Sequence, residues 1–213
     1  MTKVNILPVE VCVGQSTFDQ TWYKRHMDEY APSCYLVEVP ETLLFVGLDC
    51  VSEDRKSADY YWMTMRKYRD DEEIKPTSTA SKNELYHRAI RAVDGFNPEF
   101  LDIIHSSTPS GMLSPPLLIE DWAPPEEGLP RGRVTLLGDA AHKMSPLRGE
   151  GGNIAMQDGL DLGKLLSSNE VGLIATLKKY EDVMIARGRK GVYSSRKRTL
   201  DWTTNQLTIP SKQ

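Results

Sequence analysis

Cysteine is scarce in this chain, and the three present, Cys12, Cys34 and Cys50, are scattered and never form a CxxC pair. An odd number of dispersed thiols excludes a disulfide framework and predicts buried thiols in a reducing, cytoplasmic setting. Histidine is also sparse. His26, His87, His105 and His142 have no HExxH or CxxC companion, so no metal site is expected. No apolar run approaches the length of a membrane span, and Pro8 and Glu10 break the opening MTKVNILPVEVCVG before it could act as a signal core. Positive charge is not in excess: the formal net charge is −4, which predicts no general attraction to nucleic acid or anionic lipid. The basic cluster Arg187, Arg189, Lys190, Arg196, Lys197 and Arg198 sits on a helix pattern interrupted by Gly188 and Gly191. It reads as a solvated helix face.

Along the chain, Val9, Val11 and Val13 alternate with polar residues as a strand would. Residues 17–32 are polar and aromatic and read as a loop or short helix. Cys34 to Val39, Leu43 to Leu48 and Tyr60 to Met65 read as an antiparallel meander, with a charged loop from Asp49 to Asp59. Tyr60, Tyr61 and Trp62 alternate, so one face is either aromatic cavity lining or plain sheet core. Ser81 and Glu84 make a capping box, and Asn97 with Pro98 marks a second helix start. A short strand is expected at Leu117 to Glu120, and Leu173, Leu177, Tyr180 and Met184 mark the last helix. Lys67 to Lys75 is almost wholly charged.

The most informative stretch is RVTLLGDAAHKMSPLRGEGGNIAMQDGLDLGKLL, from Arg133 to Leu166. Val134 to Leu137 is an unbroken apolar run, as expected of a strand covered on both faces. Gly138 lets the chain turn and leaves Asp139 at the strand's carboxyl end, where open α/β sheets bind ligands. From Asn153, Ile154, Asp158, Leu162 and Leu165 fall near one face of a helix, with Met156 and Leu160 beside it. Asp139 is an acceptor-only carboxylate suited to a ligand hydroxyl, and Gly149, Gly151 and Gly152 permit close backbone approach to a flat ring. The opening of the following helix favours negative charge. The plainer reading is a flexible turn with Asp139 as a helix cap. A triad of Asp139, His142 and Ser145 is set aside, because hydrolase triads are assembled from separated elements.

At Gly138, Asp139, Ala140, Ala141, His142, Pro146, Gly149, Gly151, Asn153, Ala155 and Asp158 the chain resembles the FAD-dependent monooxygenases of the para-hydroxybenzoate and salicylate hydroxylase type. That resemblance implies an α/β (α+β) fold. Residues 1–120 would form an antiparallel substrate-domain sheet with helices, and residues 121–213 the C-terminal strand, loop and helix part of an FAD-binding domain. It implies FAD as cofactor, held by Asp139, Gly152, Gly138, Pro146, Gly149, Gly151 and Asn153, with NAD(P)H as reductant. The expected reaction is hydroxylation or epoxidation of an aromatic or polyene-type small molecule, in secondary metabolism. Such chemistry needs no side-chain nucleophile, so no catalytic residue is assigned.

The family's opening GxGxxG fingerprint for the ADP half of FAD is missing, and Gly14 stands alone in VCVGQS. The expectation is therefore weak or incomplete FAD binding, in a chain shortened at its N-terminus or completed by a second chain that supplies the ADP-binding unit. The alternative is a flavin-independent isomerase, cyclase or binding subunit of the same descent.

Overall fold

The computed structural model describes residues 4–29, 34–68, 80–113, 117–130, 132–168 and 172–203. The chain divides into two compact units, one of residues 8–118 and one of residues 1–7 with 119–213. The first carries most of the sheet. β1 (Asn5–Asp19) is followed by α1 (Gln20–Glu29), and then by β2 (Cys34–Val39), β3 (Thr42–Val51) and β4 (Ser57–Lys67). With β5 (Leu118–Asp121), the strand order is β2-β3-β4-β1-β5. The pairings of β2 with β3, β3 with β4 and β4 with β1 are all antiparallel.

Two boundaries differ from expectation. β1 runs on to Asp19, because its polar second half pairs with β4, from Gly14 opposite Trp62 to Asp19 opposite Ser57. The charged loop shrinks to residues 52–56, because β3 extends to Val51 and β4 begins at Ser57. Neither extension has an alternating apolar pattern, so cross-strand pairing decides both. The segment Lys67 to Lys75 lies largely outside the described residues.

α2 (Lys82–Ala92) is capped by Ser81, whose Oγ accepts from the Glu84 N–H at 3.2 Å. Asn97 caps the single turn Pro98–Leu101 by accepting from the Glu99 N–H at 3.2 Å, and α3 (Asp102–His105) follows. These helices lay Leu85, Ala89, Val93, Leu101, Ile103 and Ile104 against Cys12, Leu44, Val46, Tyr60 and Trp62 of the sheet. Tyr60 and Trp62 are therefore core, and Tyr61 projects on the other face, 39% exposed. Trp62 is fully buried and its Nε1–H donates to Ser107 Oγ at 2.9 Å. A Cβ at Gly14 would stand 2.3 Å from the Trp62 ring, so this lone glycine makes room for an indole.

Of the thiols only Cys12 is buried, whereas Cys34 and Cys50 are exposed, which corrects the expectation of three buried cysteines. Cys34 lies on the edge strand β2 and Cys50 on β3 beyond its last β2 partner, Gly47, so neither small side chain is forced inward. Burial, reinforced by Glu10, pushes the Cys12 thiol up to about 12, and a hydrogen bond to Asp59 raises that of Cys50. Thiol titration with an aromatic disulfide should therefore modify Cys34 readily, Cys50 more slowly and Cys12 only on unfolding.

His26 is buried on α1, stacked on Trp22 at 4.5 Å between ring centroids and edge-on to Tyr60 at 5.2 Å. Desolvation lowers its pKa from 6.5 to about 4, opposed by Asp102 and assisted by Arg25. The folded chain thus declines a proton that the unfolded chain accepts. Its contribution to stability is complete above pH 6.5 and is lost as pH falls from 6.5 toward 4. The urea midpoint should drop across that window, and His26→Phe should flatten the drop.

Candidate functional site

The site is built in the second unit. α4 (Asp139–His142), α5 (Gly151–Ser168) and α6 (Leu173–Thr203) are its helices. Their core is Ala141, Tyr180, Met184 and Ile185, joined by Trp122, Leu129, Leu136, Leu162 and Leu165. β5 anchors α6, because the fully buried Asp121 accepts from Arg196 Nε at 2.7 Å and from Nη2 at 2.5 Å. Asn5 Nδ2 adds a third bond to Asp121 at 2.9 Å.

Three expectations are corrected here. Val134 to Leu137 is not a strand: it has no ladder partner among the described residues, and Val134 is 77% exposed and Leu137 45%. A buried parallel strand needs neighbours brought by crossover connections. Here the segment is tied by the Tyr180 hydroxyl, which donates to Leu136 O at 3.0 Å. Gly188 and Gly191 do not interrupt α6, which runs unbroken for 31 residues. They are contact points instead. A Cβ at Gly188 would stand 2.7 Å from His142 Cδ2, and one at Gly191 would stand 2.8 Å from Ile154 Cδ1. The basic cluster is not simply a solvated face either. Arg187, Arg189 and Arg196 are each paired, to Asp158 and Asp161, to Pro124 O and Glu126, and to Asp121.

At the end of the extended segment, Gly138 takes φ 58 and ψ −142, a conformation that favours glycine, and turns the chain into α4. Its N–H donates to Asp158 Oδ2 at 3.1 Å, and His142 Nε2 lies 2.5 Å from the same oxygen. Arg187 Nη2 donates to the other oxygen of Asp158 at 2.7 Å. Asp158 and His142 are both fully buried. Asp139, between the residues tied to Asp158, behaves oppositely. Its carboxylate is exposed, caps no helix and accepts no hydrogen bond from any described residue.

Pro146 opens a single turn, Pro146–Arg148, capped by Ser145, which Thr199 Oγ1 holds at 2.6 Å. Gly149 closes it in the left-handed region with φ 64, its N–H donating to Pro146 O at 2.8 Å. Gly151 and Gly152 are not loop residues; they open α5, with Asn153 next. The Gly152 and Asn153 positions are exposed, and a Cβ at Gly149 or Gly152 would meet nothing within 4 Å. First-turn N–H groups have no acceptor within their own helix. A Cβ at Gly138 would lie 3.2 Å from Ala155 Cβ, which places the Asp139 turn against the start of α5. The arrangement offers one free carboxylate, open space beside glycines and the positive end of an 18-residue helix.

In the sequence Arg187 is one of a basic cluster read as a solvated face, and nothing there distinguishes its role from that of the basic residues around it. Asp158 had a signal: a lone carboxylate on the stripe of Ile154, Leu162 and Leu165 requires a buried partner.

A family described as FAD binding domain matches residues 121–192, the segment that holds Gly138, Asp139, His142, Asp158 and Arg187. The FAD-dependent monooxygenase thnD of Trichoderma harzianum is 30% identical over 205 residues, an alignment covering 91% of this chain and 50% of that protein. In sequence the chain matches the later part of FAD-dependent monooxygenases. It spans about half the length of that relative. Its fold is similar to that of Klebsiella pneumoniae HpxO, solved with FAD and uric acid, with a TM-score of 0.72 at 20% identity, covering 97% of this chain and 49% of that one. A salicylate hydroxylase substrate complex gives a TM-score of 0.63 at 19% identity, covering 98% of this chain and 50% of that one. Among the described residues no helix is long and apolar enough to cross a membrane.

Proposed function

We propose that this chain is the flavin-ring and substrate half of an FAD-dependent, NAD(P)H-using monooxygenase that hydroxylates or epoxidises an aromatic or polyene-type small molecule. The observation that carries the reading is Asp139, an unpaired, exposed carboxylate on a turn whose two flanking groups are locked to buried Asp158. An acceptor-only group of this kind suits the hydroxyls of a ribityl chain. Gly149 and Gly152 fit the same cofactor, because the space beside them is open and the backbone can meet a planar ring edge. Gly138 shapes the turn, Pro146 starts the loop that Gly149 closes, and Gly151 with Asn153 presents first-turn N–H groups to the ring. A flavin held here would supply the oxygen chemistry, with NAD(P)H as reductant. The protein's part is to hold the ring, favour negative charge on it through the α5 dipole, and position substrate.

Residues 8–118 supply the substrate surface in this reading. Gly47 leaves the space over which the Tyr61 ring lies, a Cβ there being 2.7 Å from that ring, and Phe45 sits 5.6 Å from Tyr61. An aromatic pair of exposed Tyr61 and half-buried Phe45 on one sheet face is suited to stacking a planar or conjugated molecule. The adenosine end of FAD would be bound by further polypeptide, from the same protein or a second chain, and the enzyme would act in the cytoplasm.

Fluorescence titration with FAD tests the reading. Asp139→Ala should weaken binding roughly ten- to a hundredfold through loss of a charge-assisted hydrogen bond. Gly152→Leu should obstruct the ring at the opening of α5. Unchanged affinity in both variants would leave the glycine and aspartate pattern as architecture only.

A further inference from the structure

The support beneath Asp139 extends outside the Gly-Asp segment. We propose that Arg187 and Gly188 of α6 are positioning residues that act through Asp158 and His142 to fix where the Asp139 carboxylate stands. What that carboxylate holds rests on the flavin reading above; the positioning does not.

Arg187 bridges two carboxylates one helical turn apart, donating from Nη2 to Asp158 Oδ1 at 2.7 Å and from Nη1 to Asp161 Oδ2 at 2.8 Å. A planar guanidinium serves both in only a narrow range of orientations. That clamp aims the other Asp158 oxygen at the Gly138 N–H, 3.1 Å away, and at His142 Nε2, 2.5 Å away. An ionised carboxylate accepts only, so His142 Nε2 carries the proton between them. Gly138 directly precedes Asp139, and His142 ends the same short helix. Gly188 closes the arrangement from α6, since a Cβ there would stand 2.7 to 2.9 Å from three atoms of His142. Both ends of the turn are thereby fixed to α5 and α6. Asp139 contributes no bond of its own to this network.

The burial of charge makes the arrangement selective. Asp158 is 0% exposed and the Arg187 side chain 24%, so the pair is partly desolvated and depends on its geometry. A turn held this way presents Asp139 preorganised, needing no reorganisation to meet a donor.

The test uses Arg187→Lys and Gly188→Ala in the full chain. Lysine keeps the positive charge and the fold but cannot bridge both carboxylates. The Gly138 amide should exchange with deuterium at least about tenfold faster in Arg187→Lys, because its acceptor is no longer aimed. The Asp139 carboxyl carbon signal should shift in both variants. FAD affinity should fall about tenfold in Arg187→Lys, and the Asp139→Ala, Arg187→Lys double variant should bind no more weakly than Asp139→Ala alone. Additive losses would show that Arg187 only stabilises the fold and would overturn the proposal. Unchanged Gly138 exchange with an unchanged Asp139 signal in both variants would overturn it as well. If the wild-type chain takes up no FAD, the flavin reading fails, and the Gly138 and Asp139 signals alone then decide the positioning claim.

Discussion

Asp158→Ala is expected to destabilise the unit of residues 1–7 and 119–213 by about 3–5 kcal/mol, the usual cost of removing one partner from a buried ion pair. Arg187 would lose the carboxylate it meets at 2.7 Å, and the Gly138 N–H and His142 Nε2 would lose a shared acceptor. With Asp158 and His142 both at 0% exposure, solvent cannot replace those bonds without opening the structure. Hydrogen exchange of α5 and α6 amides reports the loss by region. Protection factors there should fall by two orders of magnitude or more, on the order of 10² to 10³. Asp158→Asn, which keeps the shape and one acceptor, should cost less. A change of less than about 1 kcal/mol in Asp158→Ala would mean that the network is not the scaffold of the Asp139 turn.

Trp62→Ala should be as damaging to the other unit, about 3–5 kcal/mol, through the cavity left by a fully buried indole. Packing dominates that loss. Ser107 Oγ, which accepts from Trp62 at 2.9 Å, keeps its own donation to Ile103 O at 2.6 Å and is not orphaned. Gly14 gives an independent check. With a Cβ there placed 2.3 Å from the indole, Gly14→Ala should be strongly destabilising alone and much less so when Trp62 is already alanine. Urea unfolding monitored by β4 amide exchange measures both. Purely additive losses would contradict the direct contact.

Local rules read well wherever the decisive partner is close in sequence. The Ser81 cap and the Asn97 and Pro98 start are each settled within a few residues, and both are present. The meander was legible because alternating apolar residues have one outcome on a half-buried sheet. Outcomes decided by distant residues were less legible. β1 continues past Val13 only because β4 is there to pair with it. Val134 to Leu137 has the composition of a buried strand but no described neighbour to pair with, so composition and conformation part company. Gly188 looked like a helix breaker and is instead the point where His142 meets α6.

The candidate site divides along the same line. Glycines announce close approach by their identity, so Gly138, Gly149 and Gly152 could be singled out from sequence. Asp139 and Asp158 are the same residue type nineteen positions apart, one exposed and unpaired, the other fully buried with three donors. What separates them is that Asp158 lies on the apolar stripe of α5, where Gly138, His142 and Arg187 all reach it.

The most direct test of the central claim is competition between flavin fragments for the purified 213-residue chain. Riboflavin carries the ring and ribityl chain, ADP stands for the adenosine half, and FAD has both. If this chain holds only the ring end, riboflavin and FAD should bind with affinities within a few fold of each other, ADP should not displace either, and Asp139→Ala should weaken both equally. FAD binding a hundredfold or more tighter than riboflavin, about 2.7 kcal/mol, together with displacement by ADP, would contradict the account by placing the adenosine end on these residues.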